Sequence, residues 1–250
     1  MEAKKLVGIG ILGILCILLV GGCISDEEKN KLVGEIVDDV AEDVKEKLSS
    51  DDSEVEENSL SCEEVTCTKV DEYIDTAIKS LDDKNQLLDK KLINGVIKAE
   101  SSYHQCCYGS YIGDTCNEGE ILKSHKGALG LTQLMPSTAS WSVLDVDPYN
   151  DEDNVKGCVK YLNWLLNTYF YRYNEKYGNR EFTISAYNCG QGNVLNAIQK
   201  YCIDKNITRP NCTWKDHIEP HINEFCGSET KPYVNKIMKW YDSGNVECSN

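Results

Sequence analysis

The stretch "LINGVIKAESSYHQCC", residues 92–107, has the apolar spacing of an amphipathic helix and carries one residue that does not fit this pattern. Ile93, Val96 and Ile97 share one helical face, and Glu100 continues that face seven positions after Ile93. A carboxyl held against apolar surface keeps its proton near neutral pH, because desolvation raises its pKa. Glu100 is therefore a candidate general acid. The alternative is an ordinary helix end, where the side chain reaches solvent beyond the last core contact.

Helical spacing recurs from about residue 61 onward, whereas the alternation typical of strands is scarce. We therefore expect a mainly α-helical domain over residues 61–250. "LMPSTA" predicts a further helix start, with Pro136 in its first turn, and the insert "CCYGSYIGDTC" is a candidate small hairpin. The longer predicted helices span residues 69–81, 85–102, 154–170, 182–201 and 231–242.

The N-terminal region has the pattern of a targeting segment. A short charged start and an apolar run predict a lipoprotein-type signal peptide over residues 1–22, with Cys23 as the lipidated residue, or else an uncleaved membrane anchor. Residues 23–60 predict an acidic helix and linker that tether the domain, since residues 26–60 hold 14 acidic and 4 basic side chains. Both alternatives place the domain outside the cytoplasmic membrane and attached to it.

Cysteine content agrees with an oxidising compartment. Of 13 cysteines, Cys16 and Cys23 belong to the apolar run, which leaves 11. We expect up to five disulfides and one thiol, with a connectivity that spacing does not reveal. No metal or other cofactor is expected, because no CxxC pair occurs and Pro220 interrupts the helical spacing of His217 and His221. The net charge of −15 and the lack of a basic stripe argue against nucleic acid as a partner.

Four segments, the first of them within the opening stretch, carry the pattern of a known family. They are "ES" at 100–101, "GALGLTQLMPSTA" at 127–139, "AYNCG" at 186–190 and "ETKPYV" at 229–234. In this order they resemble the soluble lytic transglycosylase family, over roughly residues 69–242. The resemblance implies a fold like that of goose-type lysozyme and a cell-wall glycan, murein or a related polymer, as substrate.

The resemblance also implies roles for individual residues. Glu100 matches the single catalytic acid and base, which cleaves the bond between N-acetylmuramic acid and N-acetylglucosamine and leaves a 1,6-anhydro product. Ser101 is expected to bond to substrate or orient the site, with a helix-end cap as the alternative. Gln133 matches the residue that meets the sugar's N-acetyl group, unless it only satisfies the core. Tyr187 and Asn188 match the motif that forms the cleft wall. Tyr233 matches the tyrosine whose hydroxyl orients the acid.

The sequence departs from the family pattern at three places. Thr132 stands where the family usually has Met, which predicts a different cleft floor. Cys189 replaces a small residue, and Cys158 is the partner we expect for it. The segment between Glu100 and Ser124 is longer than usual, and brings three acids near Glu100 in sequence: Asp114, Glu118 and Glu120.

These departures leave two alternatives to a lytic transglycosylase. In goose-type lysozymes a longer segment at this place carries aspartates that position a water, so Asp114 would make the protein an inverting hydrolase with two separated carboxylates. The other alternative is a glycan-binding surface lipoprotein that keeps the fold without turnover.

Overall fold

The structure, a computed structural model, describes residues 62–81, 88–107, 116–173, 180–244, 246 and 248. The predicted signal or anchor, the tether, Cys23 and Asp114 lie outside these residues. Among the helices of the described part, none is long and apolar enough to cross a membrane.

The first two helices begin where a side chain caps them. Helix α1, Cys67–Lys79, starts after Thr66, whose hydroxyl accepts a hydrogen bond from the Lys69 amide. Helix α2, Lys90–Glu100, starts after Asp89, whose carboxylate accepts from the Leu92 amide at 3.0 Å. The predicted start of this helix at residue 85 is wrong, because Asp89 is extended and acts as the cap.

The middle of the domain contains a short helix and a long one. Helix α3, Pro136–Ala139, has Pro136 in its first turn as expected. Helix α4, Asp151–Trp164, is capped by Asn150 and continues into a π-helical segment, Leu165–Phe170. Together these two segments cover the predicted helix over 154–170.

The predicted helix over 182–201 is two helices. Helix α5, Arg180–Cys189, ends at Gly190, which has a φ of +88° and a ψ of 140°. This conformation is open to glycine and strained for other residues, so it interrupts the helix. The remaining helices are α6, Gln191–Tyr201; α7, Asn223–Cys226; and α8, Thr230–Ser243, with short 3₁₀ segments at Ile203–Lys205 and Arg209–Asn211 and a π-helical turn at Trp214–Ile218.

The helices pack around one apolar core. Helix α4 packs against α1, and helix α8 packs against both α2 and α5. Helices α2 and α8 therefore face each other, which places the C-terminal end of α2 beside the first turns of α8. Side chains fully buried in this core include Ile74, Leu92, Ile93, Ile97, Leu131, Leu162, Leu166, Phe170 and Phe182.

The described part of the domain is helical, without a β-strand, as the sequence predicts. Its extended pairings are isolated bridges: Cys106 with Ile121, Lys123 with Leu129, and Leu129 with Leu134. The candidate hairpin of residues 106–116 falls mostly on residues 108–115, which lie outside the described part.

Five disulfides and one buried thiol account for the 11 cysteines of the domain, as expected. The expected pair of Cys158 and Cys189 is wrong: Cys189 bonds to Cys226, and Cys158 is the free thiol. The reason is position, since Cys189 ends α5 and faces α7, whereas Cys158 is buried in the centre of α4. The other pairs are Cys62–Cys106, Cys67–Cys248, Cys107–Cys116 and Cys202–Cys212.

Gly157 in α4 allows close packing that any larger residue would disturb. A Cβ atom on Gly157 would lie 2.7 Å from Leu134 Cδ2 and 2.9 Å from Val146 Cγ2. We expect Gly157→Ala to destabilise the protein by about 1–3 kcal/mol. Gly192→Ala in α6 is the matched control: its Cβ meets nothing within 4 Å, so alanine should add up to about 1 kcal/mol of helix propensity. Denaturant unfolding measures both, and equal effects would contradict the packing argument.

Candidate active site

Glu100 and Tyr233 meet where α2 and α8 face each other. Glu100 is the last residue of α2, and Tyr233 lies in the first turns of α8. The Tyr233 hydroxyl donates a hydrogen bond to Glu100 Oε1 at 2.6 Å. The structure thus brings together two residues 133 positions apart that the sequence assigned to one site.

The carboxyl of Glu100 is held in the form that a general acid requires. Desolvation by burial raises its pKa from the ordinary value of 4.5 to about 7, opposed by the Tyr233 hydrogen bond and by the positive charge of Lys236. The residue as a whole is half-buried, so the carboxyl is desolvated by its apolar surroundings while the residue keeps some exposure. Near neutral pH the group therefore exists in both protonation states, which suits it to donate and then accept a proton.

A second tyrosine lines the same site from α5. The Tyr187 hydroxyl donates to the carbonyl oxygen of Thr132 at 2.8 Å. Its side chain also lies close to the buried thiol of Cys158 on α4. Burial, together with the nearby Cys158 and Glu100, raises the pKa of Tyr187 well above its usual range, and burial raises that of Cys158 to about 12. Both groups are thus neutral at neutral pH and act by packing and hydrogen bonding.

The loop that carries the "GALGLTQ" motif is fixed by one buried amide. Asn154 Oδ1 accepts from the Thr132 amide at 2.9 Å and from the Thr132 hydroxyl at 2.7 Å. Asn154 Nδ2 donates to the carbonyls of Leu129 and Pro148, at 2.9 and 3.0 Å. Asn154 and Thr132 are both fully buried, so Thr132 is a polar contact within the loop and not part of an exposed cleft floor.

A second amide, that of Gln105, supports the same loop. Gln105 Oε1 accepts from the Leu131 amide at 2.9 Å. A Cβ on Gly130 would lie only 2.7 Å from Gln105 Oε1 and 3.1 Å from Asn154 Nδ2, and Gly130 has a φ of +67°. Both the close approach and the left-handed backbone explain the glycine at this position.

Ser101 is a positioning contact in this structure. Its hydroxyl is buried, donates to the Leu131 carbonyl at 2.7 Å and accepts from the Tyr103 amide at 3.1 Å. These bonds tie the end of α2, and hence Glu100, to the motif loop. Of the two expected roles, the geometry favours orientation of the site over contact with a ligand.

The two other predicted binding residues also bond within the protein. Gln133 Nε2 donates to the Gly130 carbonyl at 2.9 Å, and the residue has a φ of +48°. Left-handed backbone at a non-glycine residue is strained and is common at ligand sites. Asn188 is exposed, and its Oδ1 accepts from the Thr230 hydroxyl at 2.6 Å, which links α5 to the start of α8.

Two acids of the long segment before Ser124 lie in the described part of the chain, and both are on the surface. Glu118 and Glu120 are exposed, and the amide and side chain of Asn117 hold Glu120 and lower its pKa. These contacts fit the alternative of solvated loop charge for this pair. Asp114 lies outside the described residues, and its role stays a prediction.

Sequence reasoning missed Asn154, Gln105 and Lys236. Asn154 had the same signal as Glu100, since it lies in helical phase with Cys158 and Tyr161 on the buried face of α4. Gln105 gave no such signal, because it follows the helix in irregular chain. Lys236 lies one turn after Tyr233 on α8. Once Tyr233 is assigned to the site, helical spacing predicts that Lys236 lies near it as well.

The comparison with protein families agrees with this geometry. The model of the family described as "Transglycosylase SLT domain" matches residues 77–207. The chain belongs to this family. The match contains Glu100, Gln133 and Tyr187, whereas Tyr233 reaches Glu100 from beyond it.

Among solved structures, the 70 kDa soluble lytic transglycosylase of Escherichia coli is similar over 71% of this chain. The sequence identity is 19% and the TM-score is 0.43. This chain spans 25% of the length of that protein.

Proposed function

We propose that the protein is a lytic transglycosylase that cleaves the β-1,4 bond between N-acetylmuramic acid and N-acetylglucosamine in a cell-wall glycan. The observation that carries the proposal is the pair of Glu100 and Tyr233, in which a carboxyl with a pKa raised to about 7 receives a 2.6 Å hydrogen bond. The family assignment supports the same activity, since the matched region contains this acid.

The proposed mechanism uses one carboxyl twice. Protonated Glu100 donates its proton to the glycosidic oxygen as the bond to C1 breaks, and the leaving sugar departs with a hydroxyl. The Glu100 carboxylate then accepts the proton of the C6 hydroxyl as O6 attacks C1, which forms the 1,6-anhydro ring and restores the acid. No water is consumed. The hydrogen bond from Tyr233 keeps the carboxyl in one orientation through both steps.

Mass spectrometry of soluble fragments tests the proposed reaction. Purified murein is digested with the protein in oxidised form, and the fragment masses are read. Fragments that end in a 1,6-anhydro sugar support the proposal. Fragments heavier by one water would replace it with hydrolysis and turn attention to Asp114, and binding to murein without fragments would favour the glycan-binding alternative.

We also propose that the protein works outside the cytoplasmic membrane, held there through residues 1–22 or a lipid on Cys23. Five disulfides in the described domain support an oxidising compartment. Cys23→Ser should release the protein from membranes if Cys23 is lipidated. Retention of this variant would favour the uncleaved anchor.

Tyr233→Phe should raise the pKa of Glu100 further, because it removes a hydrogen bond that lowers it. The alkaline limb of the pH–rate profile should therefore move to higher pH. We expect kcat to fall roughly tenfold, since a hydrogen bond to a charged group is worth about 1.5–3 kcal/mol.

The matched control for this variant is Tyr241→Phe on the same helix. Tyr241 donates to Asp89 at the same distance, 2.6 Å, but at the other end of α2. It should lower stability without moving the limb. A limb that stays in place in Tyr233→Phe would show that the hydroxyl does not control Glu100.

A further inference from the structure

One disulfide of this chain connects two parts of the candidate active site, and the mechanism above does not use it. Cys189 is the last residue of α5 and Cys226 is the last residue of α7, and their sulfur atoms are bonded. Cys189 comes two residues after Tyr187, which lines the site. Cys226 comes seven residues before Tyr233, which bonds to Glu100. The bridge therefore joins the wall of the site to the chain that leads into α8.

A buried hydroxyl makes the same connection without a covalent bond. Thr230, the first residue of α8, is fully buried, and its hydroxyl donates to Asn188 Oδ1 at 2.6 Å. The same hydroxyl lies 3.4 Å from the carbonyl oxygen of Cys226. We refer to the Cys189–Cys226 bridge and Thr230 together as the α5–α8 clamp. It fixes the first residue of α8 against the end of α5.

The clamp acts on the side of α8 that carries Tyr233. Thr230 precedes Tyr233 by three positions, and residues at this spacing lie on the same side of a helix. Another support of α8 is the buried carboxylate of Glu219, which accepts from Asn235 at 3.2 Å and pairs with Lys231 at 3.6 Å. Both of these partners lie two positions from Tyr233 and hence on the opposite side of the helix. Glu219 therefore holds α8 in place, whereas the clamp holds the side from which the Tyr233 hydroxyl reaches the acid.

Helix α7 is tied to the rest of the domain by the same bridge. The helix has only four residues, and a helix of this length is not stable by itself. Its polar contacts with α6 are made by Glu224, which bonds to Lys200 and Tyr201 at the protein surface. Exposed contacts of this kind contribute little to stability. The covalent bridge is therefore the strong polar-independent link between α5 and the turn that leads into α8.

Both groups that lower the pKa of Glu100 belong to α8. They are the Tyr233 hydroxyl and the positive charge of Lys236, whereas burial raises this pKa. Tyr187 on α5 and Cys158 on α4 also face Glu100, and both are neutral at neutral pH. A movement of the first turns of α8 away from α2 would weaken both lowering influences, so the pKa of Glu100 would rise.

We propose that the α5–α8 clamp is a positioning device that holds the Tyr233 hydroxyl on Glu100. The bridge is a feature of this chain, since Cys189 stands where the family pattern has a small residue. The inference rests on the proposed function for the role of Glu100 as acid and base, but the contact itself exists whether or not the protein cleaves a glycan. Without the bridge, the first turns of α8 lose their covalent link to α5, and the hydrogen bond from Tyr233 weakens.

The test measures the protonation of Glu100 in the full chain without any substrate. The carboxyl carbons of glutamate are followed by NMR over a pH titration, and the signal of Glu100 is the one that Glu100→Gln lacks. Replacing both cysteines of the bridge, C189A with C226A, should raise the pKa of Glu100. The shift should have the same direction as in Tyr233→Phe and should not exceed it, because the clamp acts only through α8.

The matched control is the removal of a different bridge. Cys202 and Cys212 are bonded at the C-terminal end of α6, away from the start of α8. C202A with C212A also deletes one disulfide, so it reports the general effect of a lost cross-link. It should leave the pKa of Glu100 unchanged. A shift equal to that of C189A with C226A would overturn the proposal.

Two further variants separate positioning from a general loss of stability. Groups in one network have non-additive effects, so Tyr233→Phe should shift the pKa of Glu100 less in C189A/C226A than in the wild type. Thr230→Val keeps the bridge and removes only the hydroxyl, and it should shift the pKa in the same direction. A fully additive shift, or a pKa that stays unchanged in both Thr230→Val and C189A/C226A, would overturn the clamp.

Measurements of turnover connect the clamp to the reaction. In C189A/C226A, kcat for fragment release should fall by up to the roughly tenfold expected for Tyr233→Phe. The alkaline limb of the pH–rate profile should move to higher pH together with the pKa. If the pKa shifts but no protein releases fragments, the clamp is supported and the proposed function is not. If the wild type releases fragments and the pKa is the same with and without the bridge, the clamp is excluded and the proposed function stands.

Discussion

Glu100→Gln is expected to reduce fragment release by at least 10³-fold while leaving glycan binding intact. Glutamine has the shape of glutamate and can still accept the hydrogen bond of Tyr233, but it cannot donate and retrieve a proton. General acid and base catalysis is worth about 10²–10⁴-fold for each proton transfer, and Glu100 serves both transfers in the proposed mechanism. Fragment release from murein and binding of the variant to murein are measured side by side.

The control for this prediction is Glu118→Gln. Glu118 is an exposed acid in the long segment after Glu100. Its substitution also removes one carboxylate but leaves the proposed acid in place. It should keep full activity. Substantial fragment release by Glu100→Gln would remove Glu100 from the mechanism.

Glu100→Gln should also be more stable than the wild type at alkaline pH. Because the folded-state pKa of Glu100 is raised from 4.5 to about 7, the folded protein holds this proton more tightly than the unfolded chain. The contribution is favourable below pH 4.5, and it is lost as the pH rises through 7, where the cost of a buried charge reaches about 3 kcal/mol. Glutamine avoids that cost, so Glu100→Gln should unfold at a higher temperature at pH 8 and at a similar temperature at pH 4. A gain that does not depend on pH would contradict a raised pKa.

Local patterns predicted most of the helices and the central acid. Apolar spacing placed Ile93, Val96 and Ile97 on the buried face of α2 and identified Glu100 as out of place in it. The same signal is present at Asn154 in α4, but sequence reasoning missed this residue, because its significance depends on Thr132 and Leu129, which lie more than 20 positions away. Helical phase shows that a polar group faces the core, and only the fold shows what it bonds to there.

Other features depended on contacts that spacing cannot reveal. Gly190 lies within a continuous helical pattern, and its backbone conformation, not its neighbours in sequence, divides α5 from α6. Cys158 lies in α4 and Cys189 ends the next long helix, α5, which made them the expected pair. Cys189 instead pairs with Cys226, 37 positions later in the chain. Disulfide pairing follows from which helix ends meet, so 11 cysteines predict the number of bridges and leave the partners open.

Asn154→Ala should destabilise the protein by about 3 kcal/mol or more and impair the site through the motif loop. The substitution removes four hydrogen bonds and leaves the buried carbonyls of Leu129 and Pro148 and the amide of Thr132 without this partner. Buried groups that lose a partner cost about 1–3 kcal/mol each. Tyr187 bonds to the carbonyl of Thr132, so movement of the loop should also disturb the wall of the site and raise KM for glycan.

Two variants show whether the effect belongs to this network. Asn163 lies on the same helix, and among the described contacts its side chain bonds only to that of Asn167. Asn163→Ala should therefore lower the stability by less than about 1 kcal/mol. Asn154→Asp keeps the acceptor for Thr132 but turns a second oxygen toward the carbonyls of Leu129 and Pro148, so it should be nearly as damaging as alanine. Denaturant unfolding gives the stabilities, and KM on strands of one length gives the state of the loop. If Asn154→Ala and Asn163→Ala lose the same stability, the buried amide does not hold the motif loop in place, and the site must be positioned by the contacts of Ser101 and Gln105 alone.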